Sequence, residues 1–255
     1  MGKALALVFG LLSYFVFFGT FLYAIGFVGN ILVPKSIDSG TPAEWSTALA
    51  VNLILLTIFA VQHSVMARPE FKSWWKRFVP TAIERSVYVL FASSALILLF
   101  WQWQPMTTIV WNVENAIGRP VLFGVFAFGW LTVLLSTFMI NHFDLFGVRQ
   151  VYYHSRGAEA PDLGFRTKAF YKLVRHPIML GFIIAFWATP TMTVGHLLFA
   201  GVTTAYILVA IQLEERDLVN SHGETYEAYK RSVGMLVPVP RKGQPDVGRE
   251  SVRSV

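Results

Sequence analysis

The stretch PVLFGVFAFGWLTVLLSTFMI, from Pro120 to Ile140, contains 21 residues and no charged side chain. At a rise of about 1.5 Å per residue, a helix of this length covers the hydrocarbon core of a bilayer, which is about 30 Å thick. The whole chain has the same character, since 55% of its 255 residues are hydrophobic and only 14% are charged. This composition excludes an ordinary soluble domain and predicts an integral membrane protein.

Five further stretches are similarly apolar. The six predicted spans cover residues 4–33, 47–67, 86–103, 120–140, 178–192 and 196–213. The last two are short and are joined by a turn at residues 193–195, so they should form a C-terminal helical hairpin, in which Pro190 suits a kinked helix. We expect an all-α protein with six spans, or five spans and a re-entrant segment, in one domain covering residues 1–240.

The distribution of Lys and Arg predicts the orientation of the chain in the membrane. These residues are frequent in the loops at 68–85 and 149–175, whereas the loops at 34–46 and 104–119 hold one Lys and one Arg between them. Positive loops remain in the cytoplasm. With an even number of spans, both termini should therefore be cytoplasmic. The polar tail at residues 241–255 is expected to be disordered.

The net charge of +6 raises the question of an anionic partner. The positive residues lie in two loops at the membrane edge, where Phe71, Trp74, Trp75 and Phe78 recur at helical spacing between residues 70 and 85. This pattern is typical of an amphipathic helix in the membrane interface. We therefore expect the partner to be the lipid bilayer, with its anionic headgroups, and expect no nucleic acid.

Several classes of site are disfavoured by the residues present. The chain has no Cys, which removes thiolate metal sites and cysteine nucleophiles. No two of its six His residues are three to five positions apart, so no metal site is expected, although three His from different spans remain an alternative. No glycine-rich loop occurs in a strand-turn-helix context that would hold a nucleotide phosphate.

Two polar motifs bracket the predicted hairpin and should meet at one membrane face. Pro177 suits the first turn of a helix and restricts His176 before it to extended geometry. The free amides of that turn, with Gly181 one turn later, predict a cradle for a polar cofactor. At the other end of the hairpin, Glu214 and Glu215 supply carboxylates that can hold an ammonium group, balance a sulfonium or accept a proton.

These motifs carry a family resemblance, together with others in the second half of the chain. The matching residues are Arg175-His176-Pro177 with Gly181, residues 214–218, Tyr226 with Tyr229, and residues 233–238. The set resembles the C-terminal signature of the isoprenylcysteine carboxyl methyltransferase superfamily of membrane methyltransferases. Met179 stands where that pattern has a tyrosine, and Gly234 where it has a proline. These departures argue against a prenylated substrate.

A closer resemblance covers nearly the whole chain. Five segments, at residues 62–68, 141–150, 175–182, 186–192 and 212–218, look like those of the bacterial methanethiol S-methyltransferases, with the NnrU-like proteins as a neighbouring branch. The resemblance implies an S-adenosylmethionine cofactor in a cytoplasmic C-terminal lobe, a small thiol substrate, dimethyl sulfide as product and a bacterial inner membrane. The alternatives are a non-enzymatic NnrU-like protein, and a methyltransferase or reductase that acts on a lipid-soluble substrate.

The resemblance also implies roles for individual residues. The expected cofactor-binding residues are Gln150, Arg175, His176, Pro177, Leu180, Gly181, Glu214, Tyr226 and Tyr229. In-line methyl transfer needs alignment of the two sulfur atoms, exclusion of water and a route for the thiol proton. Because a thiol is mostly protonated at neutral pH, we expect His142 or Glu215 to accept that proton, and Arg149 to favour the thiolate.

Overall fold

The computed structural model of the protein describes residues 2–161, 163–164 and 167–239, so the predicted disorder of residues 241–255 lies outside the described residues. The described chain is mostly helical. Its α-helices are α1 Lys3–Gly29, α2 Trp45–Ala67, α3 Pro69–Trp75, α4 Thr81–Gln102, α5 Gly118–Ile140, α6 His142–Leu145, α7 Val148–Ser155, α8 Pro177–Trp187, α9 Val194–His222 and α10 Glu224–Ser232. A 3-10 helix covers Ala169–Lys172, and two strands, β1 Ile109–Asn112 and β2 Thr191–Thr193, complete the elements.

Five of these helices, α1, α2, α4, α5 and α9, are long and apolar enough to cross a membrane. Their outward side chains are large and apolar; Phe15 on α1 is 65% exposed and Leu131 on α5 is 54% exposed. Water would disfavour so much exposed apolar surface, whereas lipid accepts it. The prediction of an integral membrane protein is confirmed at this level, and the predicted spans 4–33, 47–67, 86–103 and 120–140 each correspond to one of these helices.

The fifth predicted span, at residues 178–192, is a shorter helix than expected. Helix α8 has 11 residues, which at about 1.5 Å per residue is roughly half the thickness of a hydrocarbon core. It ends at Trp187 because Pro190 has no amide hydrogen and disfavours helical geometry in Thr189 before it. The chain then turns after Trp187, where the amide of Thr189 donates to the carbonyl of Trp187, and passes through Pro190 into β2. The carbonyl of Pro190 accepts a hydrogen bond from the amide of Val113.

The two strands add a small sheet that the all-α prediction did not include. Strand β1 lies between α4 and α5, and it pairs antiparallel with β2, with Ile109 opposite Thr193 and Asn112 opposite Thr191. The link between α4 and α5 therefore lies at the same end of the bundle as the link between α8 and α9. Thr193 also begins α9, because its hydroxyl accepts a hydrogen bond from the amide of His196.

The helices pack around an aromatic core near this end. Trp103 is fully buried and donates a hydrogen bond to the carbonyl of Ile37 at 3.0 Å. Helices α5 and α8 approach each other closely, since a Cβ on Gly181 would lie 2.7 Å from the carbonyl oxygen of Gly129. Small residues at such a contact allow two helices in a membrane to pack closely. Gly181 lies against Val133, whereas Ala185 lies against Gly129, so α8 runs antiparallel to α5, towards the sheet.

The opposite end of the bundle carries the polar segments. Helices α6 and α7 follow the end of α5, and α7 packs on the start of α1, where Val151 contacts Ala6. Helix α9 continues nine residues beyond the predicted end at Leu213, because charged residues are compatible with a helix even where an apolar span stops. It ends at His222, before Gly223, whose φ of 52° breaks the helix.

Candidate active site

Glu215 is the centre of a buried ionic cluster at the polar end of the bundle. Its side chain is 5% exposed, and its Oε1 accepts hydrogen bonds from Arg175 Nε at 2.7 Å and His176 Nε2 at 3.0 Å. Lys230 Nζ lies 3.1 Å from Oε2. We call these four residues the Glu215 cluster. The two motifs that bracket the hairpin in sequence are therefore in direct contact, as expected from their positions.

The Arg175-His176-Pro177 turn is also fixed through its backbone. The amide of Arg175 donates to the carbonyl of Gly234 at 2.8 Å, and the amide of His176 donates to that of Met235 at 3.2 Å. Gly234 is required here, since a Cβ at this position would lie 2.0 Å from the carbonyl oxygen of Val237. Both amides precede the first turn of α8, and they bind the C-terminal segment.

Glu214 differs sharply from its neighbour Glu215. Its side chain is 45% exposed, and the nearest basic atom is His176 Nδ1 at 3.7 Å, beyond hydrogen-bonding distance. The carboxylate lies within electrostatic range of the hydroxyls of Tyr171 and Tyr226. Glu215 is thus saturated by protein partners, whereas Glu214 retains capacity to bind an external cation.

Three tyrosines, Tyr171, Tyr226 and Tyr229, lie in the region of the Glu214 and Glu215 carboxylates. Tyr226 is 1% exposed, and its ring lies 5.8 Å from that of Tyr229 on the same face of α10. Tyr229 donates a hydrogen bond to the carbonyl of Tyr171 at 2.5 Å. Burial raises the pKa of all three hydroxyls, and Glu214 raises that of Tyr171 further. They therefore remain protonated donors, and the buried Tyr171 hydroxyl has no partner among the described residues.

Leu180 and Gly181 lie on the first turns of α8, beside the Glu215 cluster. The amide of Leu180 donates to the carbonyl of His176 at 3.0 Å and continues the helix. A Cβ on Gly181 would meet Gly129 and, at 2.8 Å, the side chain of Val133. Gly181 therefore serves the packing of α8 on α5, on the side where the sequence suggested room for a ligand.

His142 begins α6 and is 3% exposed. Its Nε2 lies 2.9 Å from the Tyr14 hydroxyl and its Nδ1 lies 2.8 Å from the Thr137 hydroxyl, while Phe138 stacks on the ring at 4.2 Å. Burial lowers the pKa of this imidazole, which keeps it neutral. Both ring nitrogens have protein partners, so neither is open to a substrate in this arrangement.

Arg149 and Gln150 lie on α7 and are organised by Asp144. Arg149 makes an ion pair with the Asp144 carboxylate at 2.7 Å and donates to the carbonyl of Pro161 at 2.5 Å. Gln150 donates to the carbonyl of Asp144 at 3.1 Å, and its own buried Oε1 has no partner among the described residues. The charge of Arg149 is therefore balanced within its own segment. The end of α5 packs against the 3-10 helix and so connects this segment with the Glu215 cluster.

Lys230 and Tyr171 are site residues that the sequence did not single out. Lys230 follows Tyr226 by four positions on α10, a spacing that places both on one helix face. That spacing was a usable signal for Lys230. Tyr171 had no such signal, because its position beside Glu214 depends on the packing of the 3-10 helix. Within the part of the chain that the structure describes, no group of three or more His, Asp or Glu side chains has an arrangement able to hold a metal ion.

Residues 51–214, which run from α2 into the middle of α9, match the family model described as NnrU protein. The chain belongs to the NnrU family. The matched region therefore includes the Arg175-His176-Pro177 turn and extends to Glu214. No solved structure matches the chain.

Two methanethiol S-methyltransferases are similar to the chain over almost its full length. The chain is 55% identical over 238 residues to methanethiol S-methyltransferase of Crocosphaera subtropica, covering 93% of both proteins. It is 56% identical over 242 residues to methanethiol S-methyltransferase of Mycobacterium tuberculosis, covering 95% of this chain and 99% of that protein. Nurim of Mus musculus is more distant, at 31% identity over 180 residues, 67% of this chain and 68% of that protein. The resemblance drawn from the five sequence segments is confirmed.

Proposed function

We propose that this protein is an enzyme that transfers a methyl group from S-adenosylmethionine to methanethiol and so forms dimethyl sulfide. The observation that carries this proposal is the identity of 55–56% to two methanethiol S-methyltransferases over at least 93% of each chain. At this level of identity and coverage, the sequence similarity extends over the whole molecule and is not confined to one motif. The Glu215 cluster and Glu214 supply the charged groups on which the proposed site is built.

The residues around Glu214 fit the chemistry of S-adenosylmethionine, which supplies a methyl group activated by a positively charged sulfur and also carries an ammonium group. Glu214 offers a half-exposed carboxylate to these positive groups, and the unpartnered Tyr171 hydroxyl offers a hydrogen-bond donor. Tyr226, which is within electrostatic range of Glu214, and the neighbouring ring of Tyr229 remain proposed contacts for the cofactor. His176 and Gln150 remain proposed contacts for the cofactor. His176 Nδ1 lies 3.7 Å from the Glu214 carboxylate, and Gln150 Oε1 has no hydrogen-bond partner among the described residues.

Glu215 is proposed as a positioning residue rather than a proton acceptor. Its carboxylate is occupied by Arg175, His176 and Lys230, so a proton would have to displace an ion pair. The cluster instead joins the start of α8, α9 and α10 into one unit. Arg175, Pro177, Leu180 and Gly181 contribute to the same unit by fixing the turn and the first helical turns of α8.

The chain itself contributes mainly alignment to the reaction. In-line transfer requires the attacking sulfur to lie opposite the departing sulfur, and effective alignment alone accounts for a large part of the rate in such displacements. Because Glu214 is half-exposed, the bound substrates would have to exclude water from its surroundings. Arg149, already paired with Asp144, orders the α6–α7 segment, and His142 joins that segment to Tyr14 on α1.

We further propose that the polar end of the bundle faces the cytoplasm of a bacterial cell, with the membrane being the inner membrane. The start of α1 and helix α10 both lie at this end, with the basic loops. Helix α8 covers about 16 Å, and residues 188–193, which end in β2, continue the chain to the sheet. Together they complete a sixth crossing to the sheet, in a C-terminal hairpin with α9.

The direct test of the proposed function uses the purified protein in detergent with S-adenosylmethionine and methanethiol. We expect dimethyl sulfide in the headspace and S-adenosylhomocysteine in solution in equal amounts, and no product when either substrate is omitted. Binding of S-adenosylhomocysteine is measured in parallel by calorimetry. Absence of both product and cofactor binding would overturn the proposal and favour a non-enzymatic member of the family.

A further inference from the structure

A second polar cluster lies between α2, α4 and α9, beside the proposed site. The Tyr88 hydroxyl lies 3.1 Å from Nδ1 and 3.0 Å from Nε2 of His63, and Ser64 donates to the Tyr206 hydroxyl at 3.2 Å. We call these four residues the His63 cluster. Polar side chains inside apolar helices are costly in a membrane and generally mark a functional path.

The His63 cluster faces the same region as Glu214. Tyr206 and Asp217 lie on one side of α9 and contact α2, where Asp217 pairs with Arg68 at 2.8 Å. With about 3.6 residues per turn, Glu215 points to the opposite side of α9 from Tyr206, and Glu214 lies between the two directions. The Glu214 carboxylate is accordingly within electrostatic range of the Tyr88 and Tyr206 hydroxyls. Glu214 thus connects the Glu215 cluster with the His63 cluster.

The other buried histidines are poorly placed to take a proton from a substrate. His142 has protein partners on both ring nitrogens, and His176 is bound to Glu215. His196 lies at the far end of the bundle, beside the sheet, and its Nε2 bonds to the carbonyl of Phe186. His142 also contacts hydroxyls, but each of its ring nitrogens has its own partner, whereas the single Tyr88 hydroxyl faces both ring nitrogens of His63.

Charge conservation explains why such a residue is needed near Glu214. In the proposed reaction the thiol sulfur forms a bond to the methyl carbon, and the pair of electrons in the breaking carbon–sulfur bond goes to the departing sulfur. The sulfonium becomes a neutral thioether, and the thiol proton is released. One positive charge therefore moves from sulfur to the group that receives the proton. A carboxylate within range of both positions stabilises the charge before and after transfer.

We propose that His63 accepts the methanethiol proton through the hydroxyl of Tyr88. The thiol proton passes to the Tyr88 oxygen while the Tyr88 hydroxyl proton passes to an imidazole nitrogen of His63. Tyrosine is regenerated in the same step, and the Tyr88 hydroxyl that relays the proton lies within electrostatic range of Glu214. This inference rests on the proposed function and deepens it, since it assigns the acceptor half of the site to α2 and α4.

Methaneselenol provides the test, because a selenol is far more acidic than the matching thiol and is already an anion at neutral pH. Loss of a proton acceptor should therefore harm the thiol reaction and spare the selenol reaction. For His63→Gln we expect kcat with methanethiol to fall about 100-fold, while kcat with methaneselenol stays close to that of the parent. Tyr88→Phe, which removes only the hydroxyl, should have the same selectivity for the selenol.

The matched controls are His154→Gln on α7 and Tyr23→Phe, whose hydroxyl bonds to the carbonyl of Lys35 at the far end of the bundle. Both should keep the parent's rates with both substrates. An equal fall in kcat with both substrates in His63→Gln and Tyr88→Phe would overturn the inference. Full methanethiol turnover in Tyr88→Phe would also overturn it, and this result does not require His63→Gln to fold. Failure of the parent protein to methylate either substrate would instead overturn the proposed function.

Discussion

The Nε atom of Arg175 donates a 2.7 Å hydrogen bond to the carboxylate of Glu215, although 40 positions separate the two residues. This contact joins the beginning of α8 to the polar end of α9. His176 and Lys230 bind the same carboxylate, so the hairpin and α10 meet at one buried anion. The arrangement distinguishes Glu215, which organises the protein, from Glu214, which is available to a ligand.

Replacement of Glu215 by Gln should destabilise the protein strongly. The change leaves the Arg175 and Lys230 cations beside a neutral amide, and breaking a buried ion pair from one side costs about 3–5 kcal/mol. Thermal unfolding in detergent measures this effect. The matched variant Glu214→Gln should unfold close to the temperature of the parent. Equal unfolding temperatures for the two variants would contradict the assignment of Glu215 as the structural anchor.

Glu214→Gln should weaken cofactor binding instead. A hydrogen bond to a charged group is worth about 1.5–3 kcal/mol, so we expect the Kd for S-adenosylmethionine to rise at least tenfold. Calorimetry on the folded variant checks this value. The control is Glu224→Gln on α10, whose carboxylate pairs with Arg231 at the protein surface. An unchanged Kd in Glu214→Gln would count against the proposed cofactor site.

Much of this site followed from the sequence, because the two motifs bracket one predicted hairpin and had to lie at the same membrane face. The different roles of Glu214 and Glu215 did not follow. Adjacent residues on a helix point about 100° apart, and the rotation of α9 about its axis is set by packing against α2 and α10. Tyr171 was missed for the same reason, since only the folded chain places it beside Glu214.

Gly181→Ala should destabilise the contact between α5 and α8. The added Cβ would lie 2.7 Å from the Gly129 carbonyl oxygen, so the two helices must separate, at a cost of about 1–3 kcal/mol. Gly201→Ala is the control, because a Cβ there has no neighbouring atom within 4 Å. It should leave stability unchanged or improved, as alanine favours helix. The unfolding temperatures of both variants decide the question, and an unaffected Gly181→Ala protein would contradict the close packing.

Stability should depend on pH through His142. Because burial lowers the pKa of its imidazole in the folded protein, the unfolded chain binds the proton more readily. The stabilisation is therefore complete above the unfolded pKa, about 6.5, and is lost as pH falls below it. Unfolding temperatures between pH 8 and pH 5 should decline at the acid end, and decline less in His142→Asn. The same slope in both proteins would show that other groups cause the dependence.

The fold divides in the same way into predictable and unpredictable parts. Hydropathy located the five long helices, because a helix that faces lipid needs a run of about 20 apolar residues and such a run is visible in the sequence. It placed the end of α9 at Leu213, because hydropathy detects where a span leaves the lipid and not where a helix ends. It also merged α8 with β2, although Pro190 marks the interruption. The pairing of β1 with β2 joins residues about 80 positions apart and had no local signal.

The most direct measurement of the central claim uses S-adenosylmethionine with a fully deuterated methyl group and unlabelled methanethiol. Mass spectrometry of the headspace should detect dimethyl sulfide carrying one labelled and one unlabelled methyl group, formed in proportion to enzyme. Dimethyl sulfide without the label, or no dimethyl sulfide from folded protein that binds the cofactor, would contradict the account.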